Sequence, residues 1–139
     1  MAGWTLWFCA LMAIIGAIYW RRYQRELRAI STRRPNLTRE EFMASMRVDV
    51  SDAAAKFLWE TTLIYIKPHA TPHPEDDLMK ELPIDQDDIA LDWPVDWARL
   101  NGLSEDGFPP WPEGWDCTIR NFGRWLDQIE AHCGQATRG

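Results

Sequence analysis

Cysteine is scarce in this chain of 139 residues: Cys9, Cys117 and Cys133 are the only three, and no two share a metal-ligand or redox spacing. Three such residues speak for reduced thiols rather than a disulfide frame. No Lys or Arg precedes the first apolar run, which removes the charged front end of a cleaved signal peptide. Also missing are a glycine-rich phosphate loop, a nucleophile elbow and a His-Glu-x-x-His pair. No segment shows a convincing strand pattern. His132 and Cys133 adjoin near the carboxyl end, where the chain offers little to position a catalytic pair. Together these absences argue against an enzyme and against any bound cofactor or metal.

What is present begins with grease. Gly3 to Trp20 is eighteen residues without a charge, about 27 Å of helix against a hydrocarbon layer of about 30 Å. Trp4 and Trp7 stand near one end and Tyr19 and Trp20 at the other, as aromatic residues do at the two membrane interfaces. Residues 1–20 are therefore expected to form an uncleaved transmembrane anchor whose partner is the lipid bilayer. Residues 21–37 form a basic linker: between 21 and 39 there are seven arginines against Glu26 alone. Arginines on one side of a span hold that side in the cytoplasm, so the expected location is a bacterial inner membrane, single-pass, with the carboxyl-terminal domain inside. Attraction to anionic head groups is a second use for the same charges. Asn36-Leu37-Thr38 matches a glycosylation sequon, but on the cytoplasmic side it has no meaning. Ala13, Gly16 and Ala17 would let two spans approach, although one small-residue pair sets no oligomeric state.

Residues 38–130 read as one acidic, all-helical domain, with 131–139 as a flexible tail. Thr38 and Glu41 make a capping box before Phe42 and Met46. Ser51 caps a second helix whose buried face is predicted to hold Ala54, Phe57, Leu58, Thr61, Ile64 and Tyr65, with Pro68 as its stop. Lys67 to Glu75 holds three prolines and two histidines and reads as a long exposed loop. A third helix starts near Asp87, with Ile89, Trp93, Trp97 and Leu100 on one face. Pro94 should kink it or divide it into two short helices, and Gly102 should end it. Gly107 to Gly114 reads as a loop held by packing, and Thr118 caps a last helix lined by Ile119, Phe122, Trp125, Leu126 and Ile129.

The arrangement of an opening helix, a long loop, the run Asp77-Leu78-Met79-Lys80-Glu81-Leu82-Pro83-Ile84-Asp85-Gln86-Asp87-Asp88-Ile89 and a helix introduced by Thr118-Ile119 resembles an acyl carrier protein. The resemblance covers roughly residues 51 to 130 and is nearest to small uncharacterised bacterial proteins on that plan. It implies a small helical bundle, a leucine-centred loop leading into the second helix, and acidic residues that dock basic partners. Asp85 matches the motif's aspartate, but Gln86 stands where the family has its phosphopantetheine serine. An amide cannot be phosphorylated, so the resemblance implies a carrier-like scaffold without the prosthetic arm.

Charge supplies the functional candidates. Between Glu75 and Asp116 there are thirteen acids against two bases, Lys80 and Arg99. Such a tract attracts a basic protein and repels nucleic acid. The candidate partner-binding residues are Asp85, Asp87, Asp88, Asp92 and Asp96, with Trp111 and Trp115 from the proline-rich loop as apolar contacts. Asp85, Asp87 and Asp88 do not form a calcium loop, since Ile89 and Ala90 fall where a ligand and the glycine belong. The leading expectation is a membrane-anchored, non-catalytic adaptor. The alternatives are an immunity protein acting near the membrane and an accessory of lipid or fatty-acid synthesis.

Overall fold

The computed structural model describes residues 2–136, and among them the chain is all-helical. Five α-helices follow in order: α1 (Ala2–Arg33), α2 (Arg39–Met46), α3 (Asp52–Ile66), α4 (Trp93–Leu100) and α5 (Ile119–Ala136). A π-helical turn, Asp88–Asp92, leads into α4. One isolated antiparallel bridge joins Asp77 to Thr118.

The first helix does not stop at Trp20. It runs unbroken to Arg33, through most of the segment expected to be a linker. Its amino-terminal part is long and apolar enough to cross a membrane, and none of that stretch is buried in the protein. Past the apolar run, Leu27 and Ile30 are only 1% and 2% exposed and belong to the domain's core. They sit three residues apart, on the same face as Tyr23, whose hydroxyl donates to the carbonyl of Tyr65. Gln24 pairs with His69. Just beyond the helix, Arg34 donates from Nε and Nη2 to Asp76 at 2.7 and 2.6 Å, and from Nη2 to the Thr71 carbonyl at 2.8 Å. A fork of this kind matches a carboxylate's two oxygens. Asp76 is nearly fully buried, so this arginine is a structural counter-ion and not a surface charge.

The caps fall where the sequence puts them. The Thr38 hydroxyl accepts from the Glu41 amide at 3.2 Å, and Glu41 accepts in return from the Thr38 amide at 2.8 Å. Ser51 accepts from Ala54 at 3.2 Å, and Thr118 from Asn121 at 3.1 Å. Gly102, at φ 64°, ends α4 in the left-handed region that glycine enters without penalty.

The buried side of α3 is rotated from the expected one. Ala54 and Leu58 are buried, as read, but Trp59, Thr62 and Ile66 complete the face, whereas Ile64 is 67% exposed. The displacement follows from a two-sided environment: Phe42 of α2 meets Trp59 at 5.2 Å with the rings tilted by 52°, while Trp97 of α4 meets Phe57 edge-on at 5.5 Å. The segment from Lys67 to Glu75 is not an exposed loop. Ala70, Pro72 and Pro74 are buried, because the chain must pass beneath the end of α1 to carry Asp76 to Arg34.

Pro94 has the predicted effect in an unpredicted form. Lacking an N–H, it cannot continue an α-helical ladder. The turn before it widens, so that the Trp93 amide reaches back five residues to the Asp88 carbonyl. Ile89, Trp93 and Trp97 face inward as expected, but Leu100 is 72% exposed. Finally, α5 continues through the first part of the expected tail and buries Cys133; residues 137–139 lie outside the described ones. Where α5 crosses the other helices, Gly123 permits the close approach: a Cβ there would come within 2.7 Å of Val50 Cγ1.

Candidate functional site

Tryptophan and proline build the most distinctive surface feature. A cleft of about 490 Å³ is lined by Met79, Ile89, Ala90, Pro109, Pro110, Trp111, Cys117, Phe122 and Trp125. Its walls come from five stretches that the chain brings together, two of them represented by Met79 and Cys117 alone. The π-helical turn supplies Ile89 and Ala90, the proline-rich loop supplies Pro109 to Trp111, and α5 supplies Phe122 and Trp125 three residues apart on one face.

Polar handles hold the rings in place. Trp111 Nε1 donates to the Trp115 carbonyl at 3.1 Å, and Trp125 Nε1 donates to the Pro109 carbonyl at 3.1 Å. Both indole N–H groups are thereby satisfied inside the loop, and the rings turn their apolar surfaces to their neighbours. Trp111 meets Trp125 at 5.5 Å and 65°, and Phe122 meets Trp125 at 5.6 Å and 74°. Arg124 lies over the Trp115 ring, 4.1 Å from its centroid, a cation–π contact that covers that indole's face.

Cys117 is the one group in the cleft wall with nucleophilic potential. Burial, and then the Asp77 carboxylate, push its thiol up to about 11. At neutral pH it is protonated and behaves as an apolar wall atom.

The sequence-predicted residues divide. Trp111 lines the cleft, whereas Trp115 packs behind it, edge-on at 6.1 Å. Asp85, Asp87 and Asp88 gather at the turn that leads into Ile89 and Ala90. Asp85 Oδ1 accepts from the Asp87 amide at 2.8 Å, opening the helical stretch. Asp88 accepts from the Tyr65 hydroxyl at 2.9 Å. Burial first, and then this carboxylate, raise the Tyr65 phenol above its ordinary value. Asp87 and Asp92 are exposed, and Asp96 pairs at 3.8 Å with Arg99 one helical turn on. Met79, Pro109, Pro110 and Cys117 carried no sequence signal as a group, since they come from three separate stretches of chain. Ile89, Phe122 and Trp125 were legible as apolar helix faces, but not as walls of an open cleft.

A smaller cavity of about 200 Å³ lies beside Arg34 and Asp76. Its central charges already satisfy each other, so the apolar cleft is the better candidate.

Comparison of the chain with known protein families, with characterised proteins and with solved structures returns no match.

Proposed function

We propose that this protein is a membrane-anchored, non-catalytic adaptor that holds a small acidic domain at the cytoplasmic face of a bacterial inner membrane. The observation that carries the reading is the pairing of an apolar cleft with an acidic turn at its edge. Recognition sites commonly combine an apolar pocket for an anchor side chain with charges that steer the approach. A partner suited to this one presents an apolar side chain flanked by Lys or Arg. The scaffold is carrier-like in plan, with Gln86 at the start of the helical stretch that Asp85 opens, and it works by docking rather than by group transfer.

The test is affinity capture from solubilised membranes with two variants that leave the core untouched. Asp87→Lys with Asp92→Lys reverses exposed charges, and Ala90→Arg obstructs the cleft from an exposed helical position. Both are expected to lose the proteins that the native chain recovers, and added salt should weaken the native complex. Recovery of the same proteins by both variants would overturn the reading.

The cleft's apolar lining favours a second reading, an accessory of lipid synthesis that receives an acyl chain there. In that case a long-chain fatty acid would protect Cys117 from alkylation while a basic peptide would not.

A further inference from the structure

The continuity of α1 gives its arginines an arrangement that a flexible linker would not. Tyr23, Leu27 and Ile30, spaced by four and three residues, face the domain. Arg21, Arg25 and Arg28 have the same spacing and stand two residues out of phase, which on a helix places them about 200° around, back to back with the docked face. All three are exposed. Arg21, Arg25 and Arg28 join Trp20 and Gln24 around a shallow hollow of about 390 Å³. The domain packs mainly on the opposite side of the helix and reaches the edge of this stripe through the pair of Gln24 and His69, a contact that brings no carboxylate to the arginines.

We infer that Arg21, Arg25 and Arg28 form a binding stripe for the headgroups of anionic phospholipids. This rests on the reading of α1 as a membrane span, in which Trp20 marks the interface. Arg21 follows Trp20 directly, and Arg28 lies about 10 Å further along the axis. Side chains of an α-helix lean toward its amino terminus, which here is the bilayer side, so even the lowest arginine reaches upward. Guanidinium groups bind phosphate oxygens through two parallel hydrogen bonds, and the hollow between successive arginines accommodates a headgroup. The stripe also answers a difficulty of charge. A strongly acidic domain is repelled by an anionic membrane surface, and a row of fixed cations on the anchor offsets that repulsion where the two meet.

The test uses the full chain reconstituted into vesicles of zwitterionic lipid, with and without an anionic phospholipid, followed by detergent release and native mass spectrometry of retained lipid. The native chain should retain the anionic lipid preferentially. Arg25→Gln with Arg28→Gln should reduce that preference by about fivefold for each arginine removed. Arg22→Gln with Arg33→Gln removes equal charge from outside the stripe and should leave the preference in place. Equal losses in both pairs, or none in either, would overturn the stripe. So would an oligomer in zwitterionic lipid that falls apart only in the Arg25 and Arg28 variant, since that would assign the stripe to the acidic face of a second copy. Failure of the native chain to float with zwitterionic vesicles would sink the span reading and the stripe with it, whereas flotation without lipid preference removes the stripe alone.

Discussion

The two halves of α1 are one helix by backbone and two objects by environment. Before Trp20, the large side chains Trp4, Leu6, Phe8, Leu11 and Ile18 all point away from the protein. From Tyr23 onward, every fourth or third residue is taken into the domain, ending in the buried pair of Arg34 and Asp76. The difference teaches that the domain is not hung from its anchor on a string. It is built around the last three turns of α1, so its orientation relative to the exposed apolar half is set by the register of a helix.

The contrast can be broken most severely by truncation. Removing residues 2–20 should leave a folded, water-soluble domain, while removing residues 2–34 strips out Leu27, Ile30 and Arg34 and should abolish the cooperative melt followed by circular dichroism. The next largest effect is expected at the clamp. Arg34→Ala leaves Asp76 buried without its counter-ion and should cost about 3–5 kcal/mol in chemical denaturation. Arg28→Ala, at an exposed position on the same stretch of chain, should cost almost nothing. Smaller again is Tyr23→Phe, which deletes one hydrogen bond to the Tyr65 carbonyl and should cost about 1 kcal/mol. Tyr19→Phe, in the exposed half, should leave domain stability unchanged.

The mildest test lies on the cleft side of the domain, away from the docked half of α1, and concerns Cys117. In the folded protein Cys117 keeps its proton up to about 11, and in the unfolded chain it loses it near the ordinary value of 9.0. The folded state therefore binds more protons across that window, and stability should fall as pH rises through it. Below pH 9 the contribution is fully present. Tyr65, raised in the same direction, adds to the alkaline loss. Cys117→Ser should flatten the slope of stability against pH between about 9 and about 11 without removing it. An unchanged slope in that variant would show that the cleft thiol is not desolvated.

Local signals were legible where one residue serves one neighbour. Thr38 with Glu41, Ser51 and Thr118 marked their helix starts because a cap satisfies amides within three residues. The faces of α5 and α4 were legible down to Trp97, since the buried residues of each lie along one continuous stripe. The reading of α3 slipped because that helix is gripped from two sides, and one-face periodicity does not register the second. The arginines after Trp20 were legible as charge but not as partners. Nothing local distinguishes Arg34, which finds Asp76 forty-two residues away, from Arg28, which faces outward. The candidate site was half visible: its acidic turn and Trp111 stood out by composition, while its other walls converge from distant stretches.

By itself the sequence determined an apolar first helix, an all-helical domain and the caps that delimit it, because these depend on periodicity and on contacts a few residues apart. Tertiary structure alone decided that the helix continues through the basic segment into the core, that a loop rich in proline is buried beneath it, and that tryptophans from loop and helix leave a cleft beside the acidic turn. Those outcomes depend on which distant groups meet, and burial of a charge or a ring is settled only when its counterpart arrives from elsewhere in the chain.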